Sequence, residues 1–260
     1  MSKWQVSKKE ERLGTEKYNS QGCLMRVEEY DSSNDLLVRF LDTHNALVHA
    51  AWREFEQGRI INPFFPTVYG FGYMGEGPFG SHDKPYKFWS HALERSYSPL
   101  YKSKFPTYEN CIVSEEWRNY QNFGYWFKEN FYEVPSKRME LDKDLFYLGN
   151  KEYGPLKCCF LPNDINSIYK TTDGTISRNI RFRSGKYEVT GAFEGKKYYL
   201  GGFTTFREAT QGYLDYKYSR LLEKRKVYSS FLPQRVYDTL GQWREVMEKY
   251  FEWEESQWKP

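Results

Sequence analysis

The sequence predicts an α+β chain of several small modules in series. Three observations lead there. An alternating, hairpin-like stretch lies near the N-terminus, aromatic residues recur at helical spacing in the middle, and three short strands lead into a capped helix further on. With 260 residues the chain is long for one compact core. Only 39% of the residues are hydrophobic, yet 19% are aromatic, and rings bury enough area to build cores where Leu, Ile and Val are few. That content argues against disorder.

Residues 1–17 are charged and lack apolar periodicity, as in a tail or a frayed helix. A small β module is expected over 18–75. Leu24, Met25, Val27 and Tyr30 precede the turn-forming run Asp31–Asp35, and Leu36–Phe40 follows it, the pattern of a hairpin. Gly58–Pro63 is expected to close the module. The Gly-aromatic stretch from Val68 to Gly80 lacks the Gly-Lys-Ser/Thr and helix of a phosphate loop, so it reads as a linker or extended arm.

The middle module is expected over 76–170. A helix follows His82, and Ser114 opens a second one bearing Trp117, Tyr120, Phe123 and Phe127, a row that reads as core. Leu141 to Tyr169 reads as strand, irregular loop, strand and short helix.

Residues 171–232 are expected to form a three-stranded sheet plus helix, with turns at Ser184-Gly185 and Glu194-Gly195. Thr205 and Glu208 form a capping box that starts the helix, whose face carries Phe206, Ala209, Tyr213 and Leu214. A second amphipathic helix occupies 233–260.

The net charge of +3 says little about partners, so any argument for nucleic acid rests on local clustering. Such a cluster lies on the three strands. Side chains alternate along a strand, so Arg181 and Arg183 share one face while Ile180 and Phe182 share the other. Lys186 and Tyr187 begin the second strand, and Lys197 and Tyr199 lie on the third. A basic and aromatic sheet face suits the major groove and the phosphates of double-stranded DNA, and solvated charges are the bland alternative. The four cysteines lack zinc-ligand spacing and read as buried thiols. With no leader and no long apolar run, a cytoplasmic location with no membrane association is expected.

Two resemblances extend this reading. Arg178-Asn-Ile-Arg-Phe-Arg183, Gly185-Lys-Tyr187 and Lys197-Tyr-Tyr-Leu-Gly-Gly-Phe203, followed by Glu208-Ala209 and Tyr213, resemble the ethylene-response-factor type of DNA-binding domain. That resemblance implies DNA contacts at Arg178, Arg181, Arg183, Lys197 and Tyr199. Tyr187 and Tyr199 stand where that family has Trp, and Thr190 where it has Glu.

Leu141-Asp-Lys-Asp144, Gly149–Pro155 and Cys158–Asn166, together with Trp89, Arg95–Tyr97, Pro106–Tyr108, Cys111 and Glu116-Trp117, resemble HNH (His-Me finger) homing-endonuclease-like proteins of bacteriophages. That resemblance implies a ββα centre with flanking helices, Mg²⁺ held by Asp142 and Asn166, and a bacterial host cytoplasm. The position of the water-activating His is held by Lys143, a poor base at its ordinary pKa, and Lys157 replaces the motif's central Asn. Asp144 is placed either to assist the metal or to pair with Lys143. The expectations are therefore a DNA-binding protein of homing-endonuclease type that cleaves phosphodiesters with a metal, a non-catalytic DNA-binding or regulatory protein using the same surfaces, or a phage inhibitor binding a host protein through its aromatic surfaces.

Overall fold

The computed structural model describes residues 7–169, 179–193 and 195–257, and side chains up to residue 248. The fold is α+β and divides into two compact units, Met1–Trp126 and Phe127–Pro260. The boundary falls inside the expected 76–170 module.

The first unit opens with helix α1 (Lys8–Arg12), held by a capping box in which the Ser7 side chain accepts from Glu10 N–H and the Glu10 carboxylate accepts from Ser7 N–H. The four-stranded antiparallel sheet that follows has the order β1 (Glu16–Tyr18), β2 (Leu24–Ser32), β3 (Asp35–Phe40), β4 (Leu47–Ala50). The predicted hairpin is β2–β3, with Met25 opposite Phe40 and Val27 opposite Val38, all four buried. Period-2 alternation sends these residues to one face, where Phe55 of helix α2 (Trp52–Glu56) joins the core. Gly58–Pro63 is not a strand. It is tied to the sheet by amide side chains, with Asn19 Nδ2 donating to Ile60 O (2.9 Å) and Asn62 Nδ2 to Asp42 Oδ2 (2.6 Å).

The Gly-aromatic stretch is neither a linker nor an arm. Gln121 donates to Met74 O (2.9 Å) and Phe79 O (3.0 Å) and accepts from Phe79 N–H (3.0 Å). A Cβ at Gly72 would lie 2.4 Å from Leu93 Cδ1, so the glycine lets the backbone approach the buried Trp89 and Leu93 of helix α3 (Lys84–Tyr97). Composition reads as flexible what side-chain hydrogen bonds and close backbone contact fix. Helix α4 (Pro99–Lys104) and the short strand β5 (Ile112–Val113) lead to helix α5 (Tyr120–Asn130). The expected single helix from Ser114 is a 3-10 turn over Glu115–Arg118 followed by α5, and the aromatic row is core: Trp117 of the turn and Tyr120 and Phe123 of α5 are fully buried, and Trp89 Nε1 donates to Trp117 O (2.6 Å).

In the second unit, Phe127 and Phe131 stack 4.4 Å apart, and both meet Phe160 edge-on. Strand β6 (Met139–Asp142) precedes a loop containing the short β7 (Glu152–Tyr153), and β8 (Cys159–Pro162) returns antiparallel to β6, with Asp142 opposite Cys159. Helix α6 (Asn163–Tyr169) follows at once, so strand, loop, strand and helix stand in the order read from the sequence. The second antiparallel sheet has the order β11 (Lys196–Phe203), β10 (Lys186–Phe193), β9 (Ile180–Arg183). Helix α7 (Phe206–Val227) covers one face of it and starts at the predicted Thr205–Glu208 capping box. Helix α8 (Gln234–Gln257) buries Val236, Leu240, Trp243 and Met247 along one side and packs on α7, with Tyr218 Oη donating to Gly241 O (2.7 Å). Among the described residues no helix is long and apolar enough to cross a membrane.

Candidate nucleic-acid interface

The second sheet has one covered and one open face, and strand register decides which residue lies where. Tyr187 sits opposite Phe182 and Val189 opposite Ile180, while Lys186 sits opposite Arg183 and Glu188 opposite Arg181. The first set turns to α7, where Ile180, Val189, Ala209 and Tyr213 form a buried core. The second set turns away from it. The hairpin turn between β9 and β10 places Ser184 at φ 48° and Gly185 at φ 77°, as a two-residue turn matched to strand twist requires.

On β11 a bulge shifts the register: Val189 faces Gly201 and Thr190 faces Tyr199, with Leu200 the extra residue. The shift puts Leu200 on the covered core and Tyr199 and Lys197 on the open face. A Cβ at Gly202 would meet Tyr199 Oη at 3.2 Å and Lys186 Cδ at 3.4 Å, which shows that both side chains lean over that glycine.

The open face thus gathers Arg181, Arg183, Lys186, Lys197 and Tyr199, all exposed, Tyr199 to 67%. Among the described residues, none of these four cations has a carboxylate in salt-bridge range. Glu188, half-buried between Arg181 and Gly202, is the acidic member of the face and was not singled out from the sequence. Arg178 lies outside the described residues.

Tyr187 departs from expectation. It is on the covered face, with ring centroids 4.8 Å from Phe182 and 5.8 Å from Phe206. Its odd-numbered alternation with Val189 carries it there, so it supports the sheet and offers no contact from the open side. Phe182 shares that side but remains 65% exposed.

The ββα residues are arranged for tight folding of the β6–β8 loop. Asp142 is 5% exposed, and its Oδ1 accepts from Asp144 N–H (3.0 Å) and Leu145 N–H (2.7 Å). Burial, reinforced by the charge of Asp144, pushes its carboxyl up to about 6 against the lowering effect of those N–H groups and Lys143. Lys143 Nζ donates to both oxygens of Asp144 (2.8 and 2.9 Å) and to Asn150 O (2.5 Å), while Asn150 Nδ2 donates back to Lys143 O (2.8 Å). All three ammonium protons are engaged, so this lysine is poorly placed to take a proton from water. Lys157 pairs with Glu152.

Asn166 is 2% exposed and donates through Nδ2 to Glu140 Oε2, leaving its Oδ1 buried without a hydrogen-bond partner among the described residues. The carboxylate joined to the helix amide is therefore Glu140, and not Asp142. Glu140 also accepts from Arg138 (2.5 Å). Its position two residues before Asp142, on the same side of the strand, was the available sequence signal. Asp142 Oδ1 and Asn166 Nδ2 are engaged by protein groups, whereas among the described residues Asn166 Oδ1, the amide atom that a cation would take, has no hydrogen-bond partner, and no group of three His, Cys, Asp or Glu side chains could hold a metal ion. The turn held by Asp142 Oδ1 accounts for that carboxylate without a metal, while the unpartnered Asn166 Oδ1 is the one feature here that suits the Mg²⁺ site that the resemblance implies.

No protein-family model, curated protein or solved structure matches the chain.

Proposed function

We propose that this chain binds double-stranded DNA through the open face of the β9–β10–β11 sheet, as a non-catalytic DNA-binding or regulatory protein. The observation that carries the reading is the convergence of Arg181, Arg183, Lys186 and Lys197 on one exposed face, beside Tyr199 and opposite a face covered by α7. Guanidinium and ammonium groups on a short twisted sheet can follow phosphates along a groove, and an arginine can fork onto guanine. A folding role for the ββα part is supported by Asp142 Oδ1, the Lys143 ammonium and Asn166 Nδ2, each engaged by a neighbouring group.

Fluorescence anisotropy on mixed-sequence duplexes tests the proposal at several salt concentrations, with and without Mg²⁺. Salt-sensitive binding is expected, with the double variant Arg181→Gln/Arg183→Gln flattening the slope of log K against log salt by roughly 0.9 for each phosphate it no longer neutralises. A slope unchanged in a folded double variant would remove the assigned surface. Strand nicking that appears with Mg²⁺ and is lost in Asp142→Ala and Asn166→Ala would restore the endonuclease reading.

A further inference from the structure

The second unit contains a cleft of ≈ 520 Å³ between the ββα part and the flank of α7. Five cationic side chains line it, Lys137, Arg138, Lys217, Arg220 and Lys224, against two carboxylates, Glu140 and Asp164. Asp164 is shared by Lys137 (3.1 Å) and Lys224 (3.5 Å) and accepts from Tyr228 Oη (2.5 Å), while Glu140 holds Arg138 (2.5 Å). Arg220 pairs in addition with Glu223 (2.9 Å), so the described side chains of the cleft and their ion-pair partners carry a formal excess of two positive charges, five minus three.

The cations of α7 are held in place by rings. The Arg220 guanidinium lies 5.2 Å from the Phe193 centroid and 5.4 Å from that of Tyr216, and Lys224 Nζ lies 5.2 Å from Phe193. Lys217 is 7% exposed, with Nζ 5.8 Å from the ring centroids of both Tyr213 and Trp243. Burial lowers its pKa to about 8. Arg220 also interacts with the buried Tyr216 hydroxyl one turn before it on α7.

We propose that this cleft is a phosphate-binding site, in which Lys217, Arg220 and Lys224 on one flank and Lys137 and Arg138 on the other surround a dianionic phosphate group. A phosphate matches the surplus of charge and offers several acceptor oxygens to donors approaching from both flanks. The same chemistry is presented by a backbone phosphate of nucleic acid and by a small phosphorylated molecule, and the volume admits either. The site does not depend on the open sheet face binding DNA.

Titration of the full-length protein with pyrophosphate, followed by ³¹P NMR line broadening, tests the site. Saturable binding at millimolar or lower concentration is expected, weakened at least about tenfold in Lys217→Met and in Lys137→Gln, the second variant serving if the first fails to fold. Arg181→Gln/Arg183→Gln should bind pyrophosphate like the wild type, so that loss of the sheet reading and loss of this one are distinguishable. Displacement of pyrophosphate by a duplex to which the protein binds assigns the cleft to backbone phosphate. Retention in the presence of that duplex assigns it to a small phosphorylated ligand. Absence of saturable broadening by the folded wild-type protein, or broadening in both variants equal to that of the wild type, overturns the proposal.

Discussion

The Nδ2 of Asn166 donates to Glu140 Oε2, joining the helix of the ββα part to its first strand through a carboxylate that lies outside the nuclease-like motif. The bond is buried on the amide side, and removal of one partner leaves the other without its match. Glu140→Ala should therefore destabilise the second unit by about 1–3 kcal/mol. Glu140→Gln keeps an acceptor oxygen and should cost less. Chemical denaturation of the two variants checks the order, and equal losses would show that the acceptor is not what matters.

Asp142 is the test of the metal question. Its charge is buried, and its Oδ1 accepts from two backbone N–H groups, a role that an amide oxygen also fills. Asp142→Asn should keep the turn, remove the desolvation cost and leave the protein as stable as the wild type, or more stable by about 1–2 kcal/mol at pH 7. Mg²⁺ should shift the melting temperature of neither protein. A rise in Tm with Mg²⁺ in the wild type alone would show that the carboxylate binds the ion.

The two tyrosines read together from the sequence have opposite tasks. Tyr199 stands on the open face at 67% exposure, whereas Tyr187 packs between Phe182 and Phe206. Tyr199→Ala should change stability by less than about 0.5 kcal/mol and weaken duplex binding several-fold. Tyr187→Ala should cost about 2–4 kcal/mol through lost packing. Thermal melts set beside anisotropy separate the pair, and a Tyr187 variant that melts normally yet loses DNA would return that ring to the interface.

Much of this fold was legible in the sequence because alternation and turn chemistry are local. The β2–β3 hairpin, the three strands of the second sheet and the Thr205 cap each follow from residues within a few positions of one another. The Gly-aromatic stretch was not legible, since Gln121 lies over forty positions from the carbonyl and amide it joins. The open face was legible for Arg181, Arg183 and Lys186, which obey simple alternation from a tight turn. Tyr187 was misplaced by treating it as the neighbour of Lys186 without carrying the alternation through to Val189. Lys217, Arg220 and Lys224 recur three and four residues apart along one helix, a visible signal, but their convergence with Lys137 and Arg138 depends on tertiary packing.

Lys217 gives the cleft a pH signature. The charged and titratable groups that share its cleft are Lys137, Arg138 and Glu140 around β6, Asp164 on α6, and Tyr213, Tyr216, Arg220 and Lys224 on α7, with the Trp243 ring of α8 beside its ammonium. Burial lowers its pKa from 10.5 to about 8, so between those values the unfolded chain binds more protons than the folded one. Stability contributed through this group therefore rises with pH across that window, and the cost is complete below it, on the order of 3 kcal/mol at pH 7. Other lysines and tyrosines titrate in the same range, so the informative quantity is the difference between wild type and Lys217→Met. The variant should be the more stable protein at pH 7, and its advantage should shrink toward pH 10. Phosphate at pH 7 should narrow the gap by stabilising the wild type more than the variant, since the anion compensates a charge that the variant lacks. A gap constant from pH 7 to 10 would mean that the ammonium is already fully compensated within the fold.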